Sequence, residues 1–420
     1  MRSLLADAWI SGSLVLIFAG LVVESTPLIG LGALVIGVGG VARLWTRLSL
    51  EEVEYSRELS ERRVFVGEEV TLRLQLANRK LLPVPWLEVR ERLPEALPLV
   101  DGHTTPSGQQ GAVYLTRTTA LRSKDRLEWS LTMNALMRGY HRIGPARICS
   151  GDLFGLFERE EMVGGSETIV VYPRTYPLPD LGLGSARPFG ELNGGRRIFP
   201  DPLRIVGVRD YIPGDPLKQL DWKATARAGR LQSRLYEPSR SQAVIVALDV
   251  LTLGHTWEGT DPVLLERGVV VAASIARAAF EGHAAIGLLT NGALPNADRP
   301  IRLGAGRRPD QLARVLEALA GTNPFAMAPL ADELERRGEA LPLGASLVLV
   351  AALMPESLAA TLRRLRREGR DVHVVKTSYK AWEADISAIP VFNVASHMEQ
   401  LEAESESVEV PNRARMALSR

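Results

Sequence analysis

Cysteine is almost missing: Cys149 is the single one in 420 residues. That excludes an intrachain disulfide framework and fits a reducing compartment. Six scattered histidines show no HExxH spacing, and no cysteine pair exists, so no zinc site is expected. An excess of either charge is also lacking. Lys plus Arg number 50 against 49 for Asp plus Glu, which gives no reason to expect nucleic acid as a partner. Phosphate cradles are absent too. The glycines of Gly182-Leu183-Gly184-Ser185 and Leu303-Gly304-Ala305-Gly306-Arg307-Arg308 match neither a Walker loop nor a GxGxxG after a strand. No nucleophile sits beside a base: Cys149 reads as a buried thiol, and Tyr140 and His141 as packing or hydrogen-bonding groups. A non-enzyme without a cofactor is therefore expected.

What is present begins with two uncharged apolar runs, Ala8 to Val23 and Leu28 to Ala42, separated by Glu24-Ser25-Thr26-Pro27. Each falls a little short of the roughly 20 residues that cross a bilayer core, a mismatch that snorkelling flanks absorb. The reading is a transmembrane hairpin over residues 1–48 rather than a cleaved leader or a buried helix pair. Arg2, Arg43 and Arg47 flank it while the turn carries only Glu24, so both ends are expected in the cytoplasm, at the inner membrane and in contact with lipid. Trp9 and Trp45 stand where interfacial aromatics belong. Gly30, Gly32, Gly37, Gly39 and Gly40 permit close helix approach.

From Val53 the texture changes to short alternating segments. In Val70 to Ala77, apolar Val70, Leu72, Leu74 and Leu76 alternate with Thr71, Arg73 and Gln75, the period of a half-buried strand. An antiparallel β-sandwich is expected over 49–175. Residues 176–207 are rich in Pro and Gly and read as a connector with neither helical nor strand period. Beyond Ser241, wholly apolar strands alternate with amphipathic helices, the pattern of an open, mainly parallel α/β sheet, and 401–420 reads as a tail that starts helical. The fold class is thus α/β plus all-β.

The densest polar stretch is Val208 to Leu231. Gly214-Asp215-Pro216 has the chemistry of a helix start, with Asp215 as cap and Pro216 at the first position, and Gly229 suits the far end. Leu217, Leu220, Ala224 and Arg227 would share a face, and Lys218 and Trp222 another. Arg209, Asp221 and Arg227 read either as an Arg–Asp network locking this helix to the sheet or as a binding cluster.

The pattern Arg209-x-Tyr211-x-x-Gly214-Asp215, Lys218-x-x-Asp221-Trp222, Ala226-Arg227, Leu231 and Glu237 resembles the signature of DUF58 proteins. A second block, Arg138-Gly139-Tyr140, Gly144-Pro145, Asp152 to Phe157 and Val171-Tyr172-Pro173, resembles that family as well. The resemblance implies a bacterial or archaeal membrane protein with a von Willebrand factor A-like domain at 208–400. It also implies a MoxR-type AAA+ ATPase as partner, with other membrane proteins encoded beside it. Domains of that type commonly hold Mg²⁺ through D-x-S-x-S and a later Thr or Asp. Here Asp249 is followed by Leu251 and Leu253 at the serine positions, and Ala352 stands where an acid is expected. Thr252, Asp261 or Thr290 could contribute an oxygen and water could supply others, but with leucines at both serine positions no metal site is expected. Asp249 reads instead as a strand-end acid taking backbone N–H bonds.

Two functions follow. The first is a membrane-anchored adaptor for the ATPase; the alternative is a metal-independent enzyme or ligand sensor built on Arg209, Asp215 and Asp221.

Overall fold

The computed structural model describes residues 8–183, 200–212, 220–238, 243–254, 258–295, 297–337, 345–382 and 384–405. The chain divides into two compact units that part between Pro173 and Arg174.

The first unit opens with helices α1 (Ala8–Val22) and α2 (Thr26–Ser49), with Pro27 in the first turn of α2. They pair antiparallel, and the glycines divide between two faces. A Cβ on Gly39 would overlap the Trp9 ring and one on Gly32 would overlap Ile17, whereas Gly30, Gly37 and Gly40 meet no described atom within 4 Å. The first set lets the backbones approach. Large apolar side chains, among them Leu14, Phe18, Leu34 and Val41, face outward. At about 1.5 Å per residue, the 24 residues of α2 extend about 36 Å, enough to cross a hydrocarbon core of about 30 Å. Lys80 Nζ donates to the carbonyls of Leu48 and Glu51, both at 2.7 Å, satisfying orphan acceptors at the α2 end.

Three sheets follow. One orders β1 (Val53–Leu59), β3 (Glu69–Asn78) and β7 (Arg126–Asn134). The second orders β10 (Glu158–Val163), β9 (Ala146–Gly151), β4 (Val84–Pro94), β6 (Ala112–Leu121) and β5 (Thr104–Pro106). The third orders β2 (Arg63–Phe65), β11 (Glu167–Tyr172) and β8 (Gly139–Ile143). The alternation expected in β3 is realised: Val70, Leu72, Leu74 and Leu76 are all buried. One correction concerns strand direction, since β2 and β11 run parallel.

A buried ion pair crosses this core. Arg57 Nη1 lies 2.5 Å from Glu91 Oε1, both side chains are inaccessible, and the Tyr55 hydroxyl also donates to Glu91. Arg57 Nη2 donates to the carbonyls of Gly164 (3.0 Å) and Gly165 (3.1 Å). Gly144, from the second sequence block, is required here: its φ is 76°, and a Cβ would collide with the Arg57 guanidinium.

The second unit starts with residues expected to be connector. Leu178, Leu181 and Leu183 are buried, and Tyr176 N–H donates to Ser274 Oγ at 2.9 Å. The connector reading is corrected at its far end as well, because β12 (Pro200–Asp210) is a strand. Residues 184–199 lie outside the described set. The sheet of this unit orders β16 (Pro300–Gly306), β15 (Ala285–Ala293), β14 (Ala243–Leu248), β17 (Ser346–Ala351), β18 (Asp371–Lys376) and β19 (Val391–Asn393). Only the β15–β16 pairing is antiparallel among them.

Helix α4 (Pro262–Glu281) is capped by Asp261, with Pro262 in its first turn. It lies on the face of Leu248, whose Cδ1 would be 3.2 Å from a Cβ on Gly268. Helix α5 (Gln311–Ala320) packs on α4 and β15. The opposite face, with Ile245 and Ala247, is covered by Leu330 and Leu334 of α6 (Leu330–Arg337) and Leu358, Leu362 and Leu365 of α7 (Glu356–Arg367). Helix α8 spans 395–405, and Arg267 holds it through a bidentate pair with Glu402 at 2.8 and 2.6 Å. The rest of the expected tail, 406–420, lies outside the described residues.

Candidate functional site

Two places in the second unit collect the polar residues singled out by the sequence. The first is the element between β12 and β13 (Gln232–Pro238), which pair antiparallel with Arg209 opposite Ser233 and Asp210 opposite Gln232. Helix α3 (Trp222–Ala228) closes it. The expected helix start at Asp215 and Pro216 falls outside the described residues. Gly214 and Asp215, with Leu217 and Lys218, lie outside them, Leu220 forms a β-bridge to Ser233, and the cap is Asp221.

Asp221 Oδ1 accepts from Ala224 N at 3.0 Å, and Oδ2 accepts from Arg234 Nε at 3.2 Å. The hydrogen bond from Ala224, aided by Arg234, holds this carboxyl below its ordinary range. Gly229 ends the helix at φ 66°, as expected. Thr225 Oγ1 accepts from Gln232 N at 3.0 Å, Gln232 Nε2 donates to Asp210 Oδ1 at 2.5 Å, and Arg230 reaches Asp210 Oδ2 at 3.0 Å. Arg209 Nη1 donates to the Asp210 carbonyl at 3.1 Å, and Tyr211 N–H donates to Leu231 O. Arg227 is exposed on α3.

Asp221 is thus paired with Arg234, a residue absent from the sequence candidates, and is occupied by capping. A carboxylate held low and bonded on both oxygens is a poor general base near neutral pH. The apolar members behave differently: Trp222 is 67% exposed and Ile212 58%, and Val208 and Leu231 are exposed as well.

The second place is the carboxyl end of the sheet. From β14 the chain passes to β15 on one side and later returns to β17 on the other, which makes the β14–β17 boundary a topological switch point. Asp249 sits there, buried, with Oδ1 accepting from Leu251 N (3.0 Å) and Asn291 Nδ2 (2.8 Å). The amide orientation is fixed because Val250 N–H donates to Asn291 Oδ1 at 2.9 Å. Burial pushes the Asp249 carboxyl up, against those two hydrogen bonds.

The other oxygens are engaged nearby. Thr252 Oγ1 accepts from Asp261 N at 2.8 Å, Asp261 Oδ1 caps α4, and Thr290 Oγ1 accepts from Gly292 N at 3.1 Å. The Ala352 carbonyl takes Ser378 Oγ at 2.5 Å and Trp382 Nε1 at 3.1 Å. N–H donors aimed at the carboxylate oppose a cation, and leucines at 251 and 253 bring no side-chain oxygen. These residues do not fit Mg²⁺. Among the described residues no group of three His, Cys, Asp or Glu is arranged to hold a metal.

Asn291 was not legible as a partner, although a polar residue near the end of an otherwise apolar strand is the signal that would have found it. Cys149 is half-buried, not buried as expected; it pairs with Glu88 and Glu160 on the neighbouring strands, and its partial burial, together with Glu158, Glu160 and Glu88, pushes its thiol up. That disfavours a nucleophile. His141 is bonded to the Met137 carbonyl at 2.8 Å.

Residues 207–384 match the DUF58 family model, described as a protein of unknown function. The matched segment takes in both places, from the end of β12 through β18. A relative, the uncharacterized protein YeaD of Bacillus subtilis (strain 168), is 24% identical over 244 residues. That match covers 58% of this chain and 57% of the relative's length. Among solved structures, a CARDB domain from Pyrococcus furiosus is 15% identical and covers 28% of this chain and 91% of its own, at a TM-score of 0.20. A type II cohesin domain of the Acetivibrio cellulolyticus cellulosome is 11% identical and covers 28% and 94%, also at 0.20. Scores this low do not bear on the fold.

Proposed function

We propose that this protein is a non-catalytic, membrane-tethered docking protein. In this reading α1 and α2 cross the inner membrane with both ends cytoplasmic, and the second unit is a von Willebrand factor A-like domain that has dispensed with its metal. Its DUF58 element serves a MoxR-type AAA+ ATPase in the assembly or maturation of a client. The observation that carries the reading is a division of labour within residues 207–234. Asp210, Asp221, Thr225, Gln232 and Arg234 are bonded to one another or to local backbone, while Trp222 and Ile212 stand in solvent. Exposed aromatic and aliphatic side chains on a polar-braced frame are what a protein contact uses, and Trp is a preferred anchor.

A photo-crosslinking amino acid in place of Trp222, activated in native membranes, tests it. Recovery of an AAA+ ATPase on the crosslinked chain is expected. Recovery of no protein would overturn the docking role. Turnover of any substrate that Asp221→Asn abolishes would favour the enzyme instead.

A further inference from the structure

The Asp152 to Phe157 turn is taken up by neither of these places, and its construction is unusual. Asp152 is buried, and its two oxygens accept from the N–H groups of Phe154 (2.7 Å), Leu156 (3.1 and 3.0 Å) and Phe157 (2.8 Å). Trp86 Nε1 adds a bond to the Asp152 carbonyl at 3.1 Å. A turn so braced from within holds its side chains outward: Leu153 is 65% exposed, Phe154 68% and Leu156 57%. Three large apolar side chains on one six-residue turn need a partner.

What surrounds the turn identifies that partner. Phe157 packs edge-on against Trp9 of α1, with centroids 5.9 Å apart, and lies beneath the Arg43 guanidinium at 5.9 Å. Leu156 and Phe157 line a pocket of about 410 Å³ together with Trp9, Leu34, Val35 and Val38. Val38 and Leu34 lie five and nine residues before Arg43, which at 1.5 Å per residue is about 7 to 14 Å along α2. Arg43 and Trp9 are headgroup-level residues if the helices span a bilayer. The turn then reaches below that level, into the depth of about 5–10 Å at which interfacial segments seat apolar side chains.

We propose that Leu153, Phe154 and Leu156 form a membrane wedge, inserted among the acyl chains beside α2. It would dock the sheets of the first unit on the bilayer and set their height above it. The occupant is lipid, and the inference rests on the membrane reading of the hairpin.

Full-length protein carrying Cys149→Ala, with single cysteines at Phe154, Leu153, Val38 or Met137, is labelled with an environment-sensitive fluorophore. It is then placed in phosphatidylcholine nanodiscs with nitroxide on the acyl chains. Met137 is an equally exposed apolar residue in the turn after β7, at the end of that strand away from Arg126. Labels at Phe154 and Leu153 are expected to shift to shorter wavelength and lose intensity to the nitroxide as the Val38 label does, with Met137 unaffected. Quenching at Val38 but not at Phe154 or Leu153 overturns the wedge and leaves the spanning hairpin intact. Quenching at none of them overturns the membrane reading, and the wedge with it.

Discussion

Asn291 lends its amide to the Asp249 carboxylate at 2.8 Å and its oxygen to the backbone of Val250 at 2.9 Å, so the acid at the sheet's switch point is held by donors. This relationship separates the C-terminal sheet from a working cation site. A buried carboxylate that takes N–H bonds completes the fold locally, and among the described residues no group of three His, Cys, Asp or Glu gathers to hold a metal.

Asp249→Asn therefore tests whether the charge itself is needed. Burial raises the folded pKa of Asp249 above its unfolded value near 3.9, so its contribution is fully present below that value and is lost as pH rises through the folded pKa. Asparagine keeps an oxygen for Leu251 and Asn291 and removes the buried charge. Thermal melting should find the variant level with the parent in acid and equal to or above it at neutral pH. A variant less stable at neutral pH would show that the ionised form is required.

Arg57 and Glu91 make the opposite case in the first unit. Removing one partner leaves a buried charge, so Arg57→Ala or Glu91→Ala should each cost about 3–5 kcal/mol in denaturant unfolding. Replacing both with leucine should recover part of the loss. Full recovery is not expected, because Tyr55 and the Gly164 and Gly165 carbonyls lose their partner.

The hairpin glycines give a paired control. Gly39→Ala forces the Trp9 ring aside and should lower the melting temperature in detergent and open the hairpin to proteolysis. Gly37→Ala meets open space and gains helix propensity, so it should be neutral or stabilising. Equal effects at both positions would contradict the observed helix contact.

Much of the architecture was legible where strands are sided or central. Alternation in β3 and the unbroken apolar runs of β14 and β17 follow directly from burial on one face or two. Two edge strands are not legible: β10, Glu-Arg-Glu-Glu-Met-Val, is exposed on one face, half-buried only at Arg159 and Val163 on the other, and carries no apolar period, and β16 is glycine-rich with register shifts. Partners from distant strands were also hidden. Arg57 with Glu91, Asp249 with Asn291 and Asp221 with Arg234 are created by pairing and packing, which local spacing does not encode. Asp221 stands out in the sequence, but its role as helix cap is hidden there, because it depends on Leu220 joining a β-bridge instead of the helix.

The proposed docking role of the element between β12 and β13, through its exposed apolar side chains, is tested most directly with Trp222→Ala, by the yield of AAA+ ATPase co-purified from native membranes. Loss of the ATPase with an unchanged melting temperature is the predicted result. Undiminished co-purification from the Trp222→Ala membranes would contradict it.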